Sequence, residues 1–355
     1  MERITGAVIG CGRMGAFTSE LMKKYGPKCL FPLSHIEALQ EIPDMDLVAI
    51  SDINKVSLEK AALKYEIDSC YQDYEILLKE KKIDILCIAT RTSERIDIIK
   101  KAISHDIKAI HLEKPLCNSM EQLLEIKQLV NESRSLLSYG TIRRYLDIYK
   151  KAKTLVDSGK FGNLLQIQID FGSAPLYWTH AHSVDLILFF AGKRNLRSVQ
   201  AYMSNLEKGK EEYFIESDPI IEQACMYFDH GVIGNISKIP GMNVTLGCEK
   251  ALITVKSNGS YITISDSLNN NPYLEFPGTI IQDDCDTPQG TYAAISSLKD
   301  RMRSAYSPDL NDHIFLGQRA LFGFIQSALE GSRKIKLEEI HPKTFVKGKT
   351  GNLYA

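Results

Sequence analysis

Ile4-Thr5-Gly6-Ala7-Val8-Ile9-Gly10-Cys11-Gly12-Arg13-Met14-Gly15 opens the chain and decides how the rest of it is read. The apolar, β-branched run Ile4–Ile9 has the character of a buried strand, and residues at helical spacing follow from Arg13 to Lys24. A G-x-G-x-x-G loop between a strand and a helix is suited to the diphosphate of a dinucleotide. Gly10 allows the tight turn, Gly12 lets the backbone approach the pyrophosphate, and Gly15 lets the helix pack on the strand. Arg13 and Met14 fall in the same loop, at a helix N-terminus whose N–H groups and partial positive charge face the anion.

Further along, Leu47-Val48-Ala49-Ile50-Ser51-Asp52 is a second buried strand ending in an acid. A carboxylate there accepts from the ribose hydroxyls of NAD and repels the extra phosphate of NADP. NAD is therefore the expected cofactor and NADP the less favoured one, with Lys55 near enough to soften the choice. The acid lies well beyond the ~20 residues usual for this fingerprint. The surplus falls in Tyr25–Met45, which carries Pro27, Pro32 and Pro43 and reads as an inserted loop with a short helix. His35, inside it, reads as a structural or surface histidine. Strands Ile83–Ala89 and Ala109–Leu112, with helices Lys55–Lys64, Asp73–Glu80 and Arg95–His105, continue an alternation that implies a parallel sheet covered on both faces.

After about residue 140 the pattern changes. A helix at Leu146–Ser158, an alternating strand at Leu164–Phe171 and a short apolar helix at His182–Ala191 are followed by closely spaced strands. These are Arg197–Met203, Ile220–Phe228, Val232–Ser237, Asn243–Gly247, Leu252–Lys256 and Tyr261–Ser265, divided by Asp-His-Gly and Ser-Asn-Gly turns. Strands joined by tight turns make an antiparallel sheet. A polar stretch, Asp283–Asp312, leads to a final helix at His313–Glu330. The expected fold is α/β: a Rossmann domain over 1–140, then an α+β domain over 141–355 with a mainly antiparallel open sheet.

Composition narrows the function. Lys plus Arg number 43 against 44 Asp plus Glu, so the chain lacks the basic surface that nucleic-acid binding needs. No apolar run approaches the ~20 residues that span a bilayer, and the N-terminus leaves no room for a signal peptide. A cytoplasmic protein without membrane or nucleic-acid partners is expected. The eight cysteines form no C-x-x-C pair, which argues against a zinc site or disulfide framework. Cys11 lies beside a helix N-terminus, where a thiol pKa can fall, but a small residue fitting a tight turn is the simpler reading.

Strand Ala109–Leu112 runs into Glu113-Lys114-Pro115, and the carboxyl ends of parallel strands are where such sheets bind ligands. A lysine there can hydrogen-bond a reacting hydroxyl and stabilise the developing alkoxide; alone, it reads equally as a solvated turn residue. With the Gly10–Gly15 loop, Ser51-Asp52, Tyr71-x-Asp73-Tyr74, Ile83-Asp84, Ala89-Thr90, Arg144-Tyr145, Gly159-x-x-Gly162 and His182-x-x-Asp185, the chain resembles the glucose–fructose oxidoreductase / inositol dehydrogenase / rhizopine-catabolism (Gfo/Idh/MocA) family over its whole length.

The resemblance implies an NAD-dependent dehydrogenase of a sugar-like polyol: a sugar, sugar phosphate, nucleotide sugar or cyclitol. It makes Lys114 the residue that polarises the substrate hydroxyl and His182 the general base, whose unperturbed pKa of about 6.5 suits proton transfer near neutrality. Asp185 would orient the imidazole or contact another hydroxyl. Ala89, Thr90, Arg91 and Glu113 would lie along the cofactor, while Arg144, Tyr145, Tyr177, Trp178 and His180 are candidate substrate contacts. The second domain would bind substrate and support a homodimer or homotetramer. Trp178, His180, Arg91 and Arg95 depart from the family pattern on the substrate side, and Arg91, Arg95 and Arg144 hint at an anionic substrate. His180-x-His182-x-x-Asp185 has the outline of a metal site without a further ligand, so no metal is expected, and His180 could share the base role. Two alternatives stay open: a lyase or glycosidase using transient oxidation of the sugar, and a non-catalytic nucleotide-binding regulator.

Overall fold

A computed structural model describes residues 3–266, 278–282 and 285–348 of the chain. The chain divides into two compact units. The first gathers residues to Ile142 together with Thr287–Phe315, and the second holds Arg143–Asp286 and Leu316–Lys349.

The first unit is built on six parallel strands, β1 (Ile4–Ile9), β2 (Met45–Ser51), β3 (Cys70–Tyr71), β4 (Ile85–Ile88), β5 (Ala109–Leu112) and β6 (Leu136–Tyr139). Their order, β3-β2-β1-β4-β5-β6, is that of a dinucleotide-binding Rossmann sheet, as expected. Strand β6 and the helix Met120–Ser133 before it escape the sequence reading, although every residue of β6 is buried.

The crossover from β1 to β2 differs from expectation. No continuous helix runs from Arg13 to Lys24. A single turn closes where the Ala16 and Phe17 N–H groups donate to the Gly12 carbonyl, and helix α1 spans only Glu20–Tyr25. Helix α2 (His35–Glu41) then resumes the interrupted ladder: His35 N–H donates to the Met14 carbonyl and Ile36 N–H to that of Gly15, at 2.8 and 2.9 Å. His35 thus takes the place residue 18 would have in an unbroken helix. The segment between is an insertion into that helix, which explains the long spacing from loop to acid. Helices α3 (Lys55–Tyr65), α4 (Tyr74–Glu80), α5 (Thr92–Ser104) and α6 (Met120–Ser133) complete the crossovers.

One expectation about domain extent is corrected. The polar stretch 283–312, whose first two residues lie outside the described set, contains helix α9 (Gly290–Met302), which belongs to the first unit. Its Ile295 and Leu298 enter the same core as Val8, Ile36, Leu39 and Ile85. Ser138 of β6 donates to the Ala294 carbonyl at 3.2 Å, and Thr291 donates to that of Leu33 at 2.7 Å. The sheet needs cover on both faces, and a helix with one narrow apolar face among Ser, Lys, Asp and Arg supplies it.

The second unit is a large mixed sheet. Helix α7 (Asp147–Asp157) leads to β7 (Leu164–Asp170) and the short β8 (Ala174–Pro175); α8 (Ala181–Ala191), β9 (Leu196–Ser204) and β10 (Phe214–Ile215) follow. Strands β11 (Ile220–Phe228), β12 (Ile233–Ser237), β13 (Asn243–Cys248), β14 (Ala251–Lys256), β15 (Tyr261–Asp266) and β16 (Thr279–Gln282) come next. Helix α10 (Asp309–Leu329), β17 (Ile335–Lys336) and β18 (Phe345–Val346) end the described chain. The order is β16-β15-β14-β13-β7-β12-β11-β9-β17, antiparallel except where β12 lies parallel to β7. Alternate residues are buried along β12 and β13, the pattern of a sheet with one covered face. Among the described residues no helix is long and apolar enough to cross a membrane.

Candidate functional site

The glycine loop is close-packed. Gly10 has φ +99°, and a Cβ on it would lie 2.7 Å from the Ala89 carbonyl carbon. A Cβ on Gly15 would come within 1.7 Å of the Gly10 carbonyl oxygen, so here the glycine admits loop against turn. Ala89 and Thr90, at the carboxyl end of β4, are thereby held beside the loop.

Asp52 follows the last residue of β2, and both its oxygens accept backbone hydrogen bonds, from Cys11 N–H at 2.6 Å and Asn54 N–H at 2.7 Å. The acid is thus locked to the loop 41 residues before it. Cys11 itself is buried, and burial with the adjacent Asp52 pushes its thiol up to about 12. It is a small inert residue in a tight turn, and the lowered-pKa reading does not apply.

Glu113-Lys114-Pro115 leaves the carboxyl end of β5, with a cis bond between Lys114 and Pro115. Glu113 is buried, and its Oε1 is 3.1 Å from His35 Nε2. Burial would raise the carboxyl, but the His35 hydrogen bond and the Lys114 charge outweigh it and bring the group down to about 2. Gly140, just past β6, leaves room for the carboxylate, since a Cβ there would lie 2.8 Å from both oxygens. The buried Arg95 grips the same triplet from α5: its guanidinium donates to the carbonyls of Glu113 and Pro115, and at 2.6 Å to that of Thr90. Lys114 is only partly buried between these anchors. Arg95 is therefore committed to main chain, not to an anionic substrate, and His35 is wholly internal, the structural alternative of the sequence reading.

In the second unit, π-helical turns at Leu176–His180 run straight into α8. Such turns concentrate at functional sites because they displace side chains from α-helical register. Asp218, buried in the loop before β11, caps this segment by accepting from Tyr177 N–H at 2.8 Å and Trp178 N–H at 3.2 Å. No sequence motif marked it. His180 is fully buried, 3.0 Å from Ser183 Oγ through Nδ1; burial brings it down to about 4 against the pull of the Gly172 carbonyl. It is a neutral core imidazole. His182 and Trp178 keep partial exposure, whereas Tyr145 and Tyr177 are buried.

Asp185 lies a turn beyond His182 and is held by Arg144. Arg144 Nε donates to Oδ2 at 3.0 Å, while a terminal guanidinium nitrogen lies 2.9 Å from Oδ1, both side chains being buried. Burial opposes the Arg144 cation, Asp185 outweighs it, and the guanidinium pKa is raised. Arg144 is thus spoken for internally, so only Arg91, exposed at the N-cap of α5, remains of the three arginines read as hints of an anion. Lys114 belongs to the first unit and His182 to the second.

Comparison with known proteins places this architecture. Residues 4–141, from the first residue of β1 to just past β6, match the model of the oxidoreductase family with an NAD-binding Rossmann fold, GFO_IDH_MocA. The chain is 30% identical over 168 residues to an uncharacterized oxidoreductase, YrbE, of Bacillus subtilis, covering 47% of this chain and 44% of that protein. It is 26% identical over 245 residues to a scyllo-inositol 2-dehydrogenase (NAD(+)) of the same organism, covering 65% of each. The matches thus span about half to just under two thirds of these relatives. In fold it is similar to an inositol dehydrogenase homolog from Azotobacter vinelandii crystallised with NAD+, at TM-score 0.71 and 15% identity over 94% of this chain and 97% of that one. The strand order of the first unit is of the type that the family match describes, and residues 4–141 are similar to the NAD-binding Rossmann fold of that oxidoreductase family.

Proposed function

We propose that the protein is an NAD-dependent dehydrogenase of a sugar-like polyol, the class that includes sugars, sugar phosphates, nucleotide sugars and cyclitols. The observation that carries this is the Lys114 side chain at the carboxyl edge of a parallel Rossmann sheet, with main chain gripped by Arg95 and the neighbouring carboxylate engaged by His35. The Gly10–Gly15 loop, Ala89, Thr90 and Asp52 would hold the dinucleotide, and the close fit of Gly10 against Ala89 suits a flat, extended ligand lying over it. Bound NAD supplies the acceptor for the hydride leaving the substrate carbon. Lys114 donates a hydrogen bond to the hydroxyl and stabilises the oxyanion. His182 takes the proton. The names of the scyllo-inositol and xylose dehydrogenases among the relatives support a polyol substrate.

Incubating the purified chain with NAD and a panel of polyols is expected to produce reduced nicotinamide with at least one of them. Lys114→Ala should lower kcat about 100-fold or more and leave the Kd for NAD within a factor of about two. NAD that copurifies, never exchanges and never accumulates in reduced form would favour the lyase reading.

A further inference from the structure

Two buried imidazoles of the first unit, His35 and His111, each leave a ring nitrogen without a hydrogen-bond partner among the described residues: Nδ1 of His35 and Nε2 of His111. Each ring is tied down through its other nitrogen. The Ser138 hydroxyl gives its one hydrogen to the Ala294 carbonyl, so at 3.0 Å it accepts from His111 Nδ1–H. That tautomer leaves a lone pair on His111 Nε2 with no donor to meet it. His35 Nε2 lies 3.1 Å from Glu113 Oε1, and the two imidazoles stand edge to face with centroids 4.7 Å apart. Buried polar atoms left unpaired cost free energy. Two such nitrogens beside a buried carboxylate match the donor set of a metal centre better than that of an apolar core.

The fold assembles this cluster from separate elements. His111 on β5 and Ser138 on β6 are register partners in the parallel sheet. Glu113 continues that ladder two residues on, its N–H donating to the Ile88 carbonyl, and so shares a face with His111. His35 meets the same face from α2, seated by the bond of its N–H to the Met14 carbonyl. One ligand atom from each of His35, His111 and Glu113 lies within 4.8 Å of the other two. Ligands bound about 2.0–2.2 Å from a tetrahedral zinc ion stand about 3.3 Å apart. His35 and Glu113 are already near that spacing, and a small side-chain movement brings in His111. Of the cations near Glu113, Arg95 is spent on main-chain carbonyls and Lys114 is only partly buried.

We propose that His35, His111 and Glu113 bind a zinc ion, with the fourth position left to water, and that the ion fastens α2 to the carboxyl end of β5. Two imidazoles and a carboxylate suit zinc, and Ser138 fixes the tautomer of His111 as an outer partner of a metal-binding histidine does. No spacing motif announces the site, because the ligands sit on elements far apart in the chain. It stands whatever Lys114 does in the reaction.

The full chain, produced with zinc in the medium and dialysed against a weak chelator, is expected to carry stoichiometric zinc by inductively coupled plasma mass spectrometry. Cobalt supplied in place of zinc should give the visible absorption of a tetrahedral site. His111→Phe, which keeps a ring in the same packing, should remove most of the metal. Ser138→Ala, which takes away only the acceptor of His111 Nδ1–H, should weaken zinc about tenfold or more in competition with a chromophoric chelator. His180→Asn, in the second unit, should leave the zinc in place, which separates this site from His180-x-His182-x-x-Asp185. A wild-type chain without zinc would overturn the proposal, the two nitrogens then being met by internal water. Zinc that persists in His111→Phe, or is lost in His180→Asn, would overturn it as well. If His111→Phe does not fold, Ser138→Ala decides, and an unchanged zinc affinity there counts against the site.

Discussion

At the scale of single residues, the structure separates side chains that are committed from side chains that remain available. Asp185 is the clearest case. By sequence it stands one turn after His182 and reads as its orienting acid, but Arg144 takes both of its oxygens in a buried pair. Removing one partner of such a pair strands the other charge. Asp185→Ala is expected to lower the unfolding free energy by about 3–5 kcal/mol in urea titration, and Arg144→Met/Asp185→Leu to regain most of that loss. A role limited to touching a substrate hydroxyl would instead raise KM and leave stability untouched. Arg95 teaches the same lesson, since its guanidinium is spent on carbonyls before any ligand arrives.

At the scale of elements, the segment Leu176–His180 matters most. Its π-helical turns are held by Asp218 and feed directly into α8, whose second residue is His182. Trp178 is the sole tryptophan of the chain and lies within the capped segment, so its emission reports on this element alone. Asp218→Ala should shift the Trp178 emission to the red and cost about 1–2 kcal/mol, whereas Asp218→Asn, which keeps an acceptor, should do less. Emission identical to wild type in the alanine variant would show that the turns stand without their cap. The interrupted helix between β1 and β2 is the other informative element. Proline content and the stretched spacing to Asp52 made an insertion legible, but its position was not, because the helix is rejoined by backbone bonds between residues far apart in sequence.

For the whole molecule, the buried imidazoles predict how stability responds to acid. His111 in the first unit and His180 in the second are held down to about 3 and about 4 by burial. A folded-state pKa below the unfolded value of about 6.5 means that the unfolded chain binds more protons on acidification. The stability these groups contribute is therefore complete above about pH 6.5 and is lost as pH falls toward 4 and then 3. Glu113, held down to about 2, adds a loss in the same direction below the ordinary carboxylate range, since its folded pKa lies under its unfolded one. Tm should fall steadily from pH 7 to pH 4. His180→Asn should flatten that slope by roughly one proton's worth, measured by calorimetry across the range; an unaltered slope would mean that His180 does not titrate as its burial implies.

The sequence by itself determined the parallel Rossmann character of the first sheet, the glycine loop and its acid, and the mainly antiparallel character of the second sheet. These are properties of neighbours along the chain, where hydrophobic period and turn chemistry speak directly. Only the tertiary structure decided that α9 returns to cover the first sheet, that His35 meets Glu113, and that Arg95, Arg144 and Asp185 are already engaged. Those facts turn on burial and on partners brought together across long stretches of chain. A charged residue displays the same letter whether it faces water or a buried counter-ion, and only packing tells the two apart.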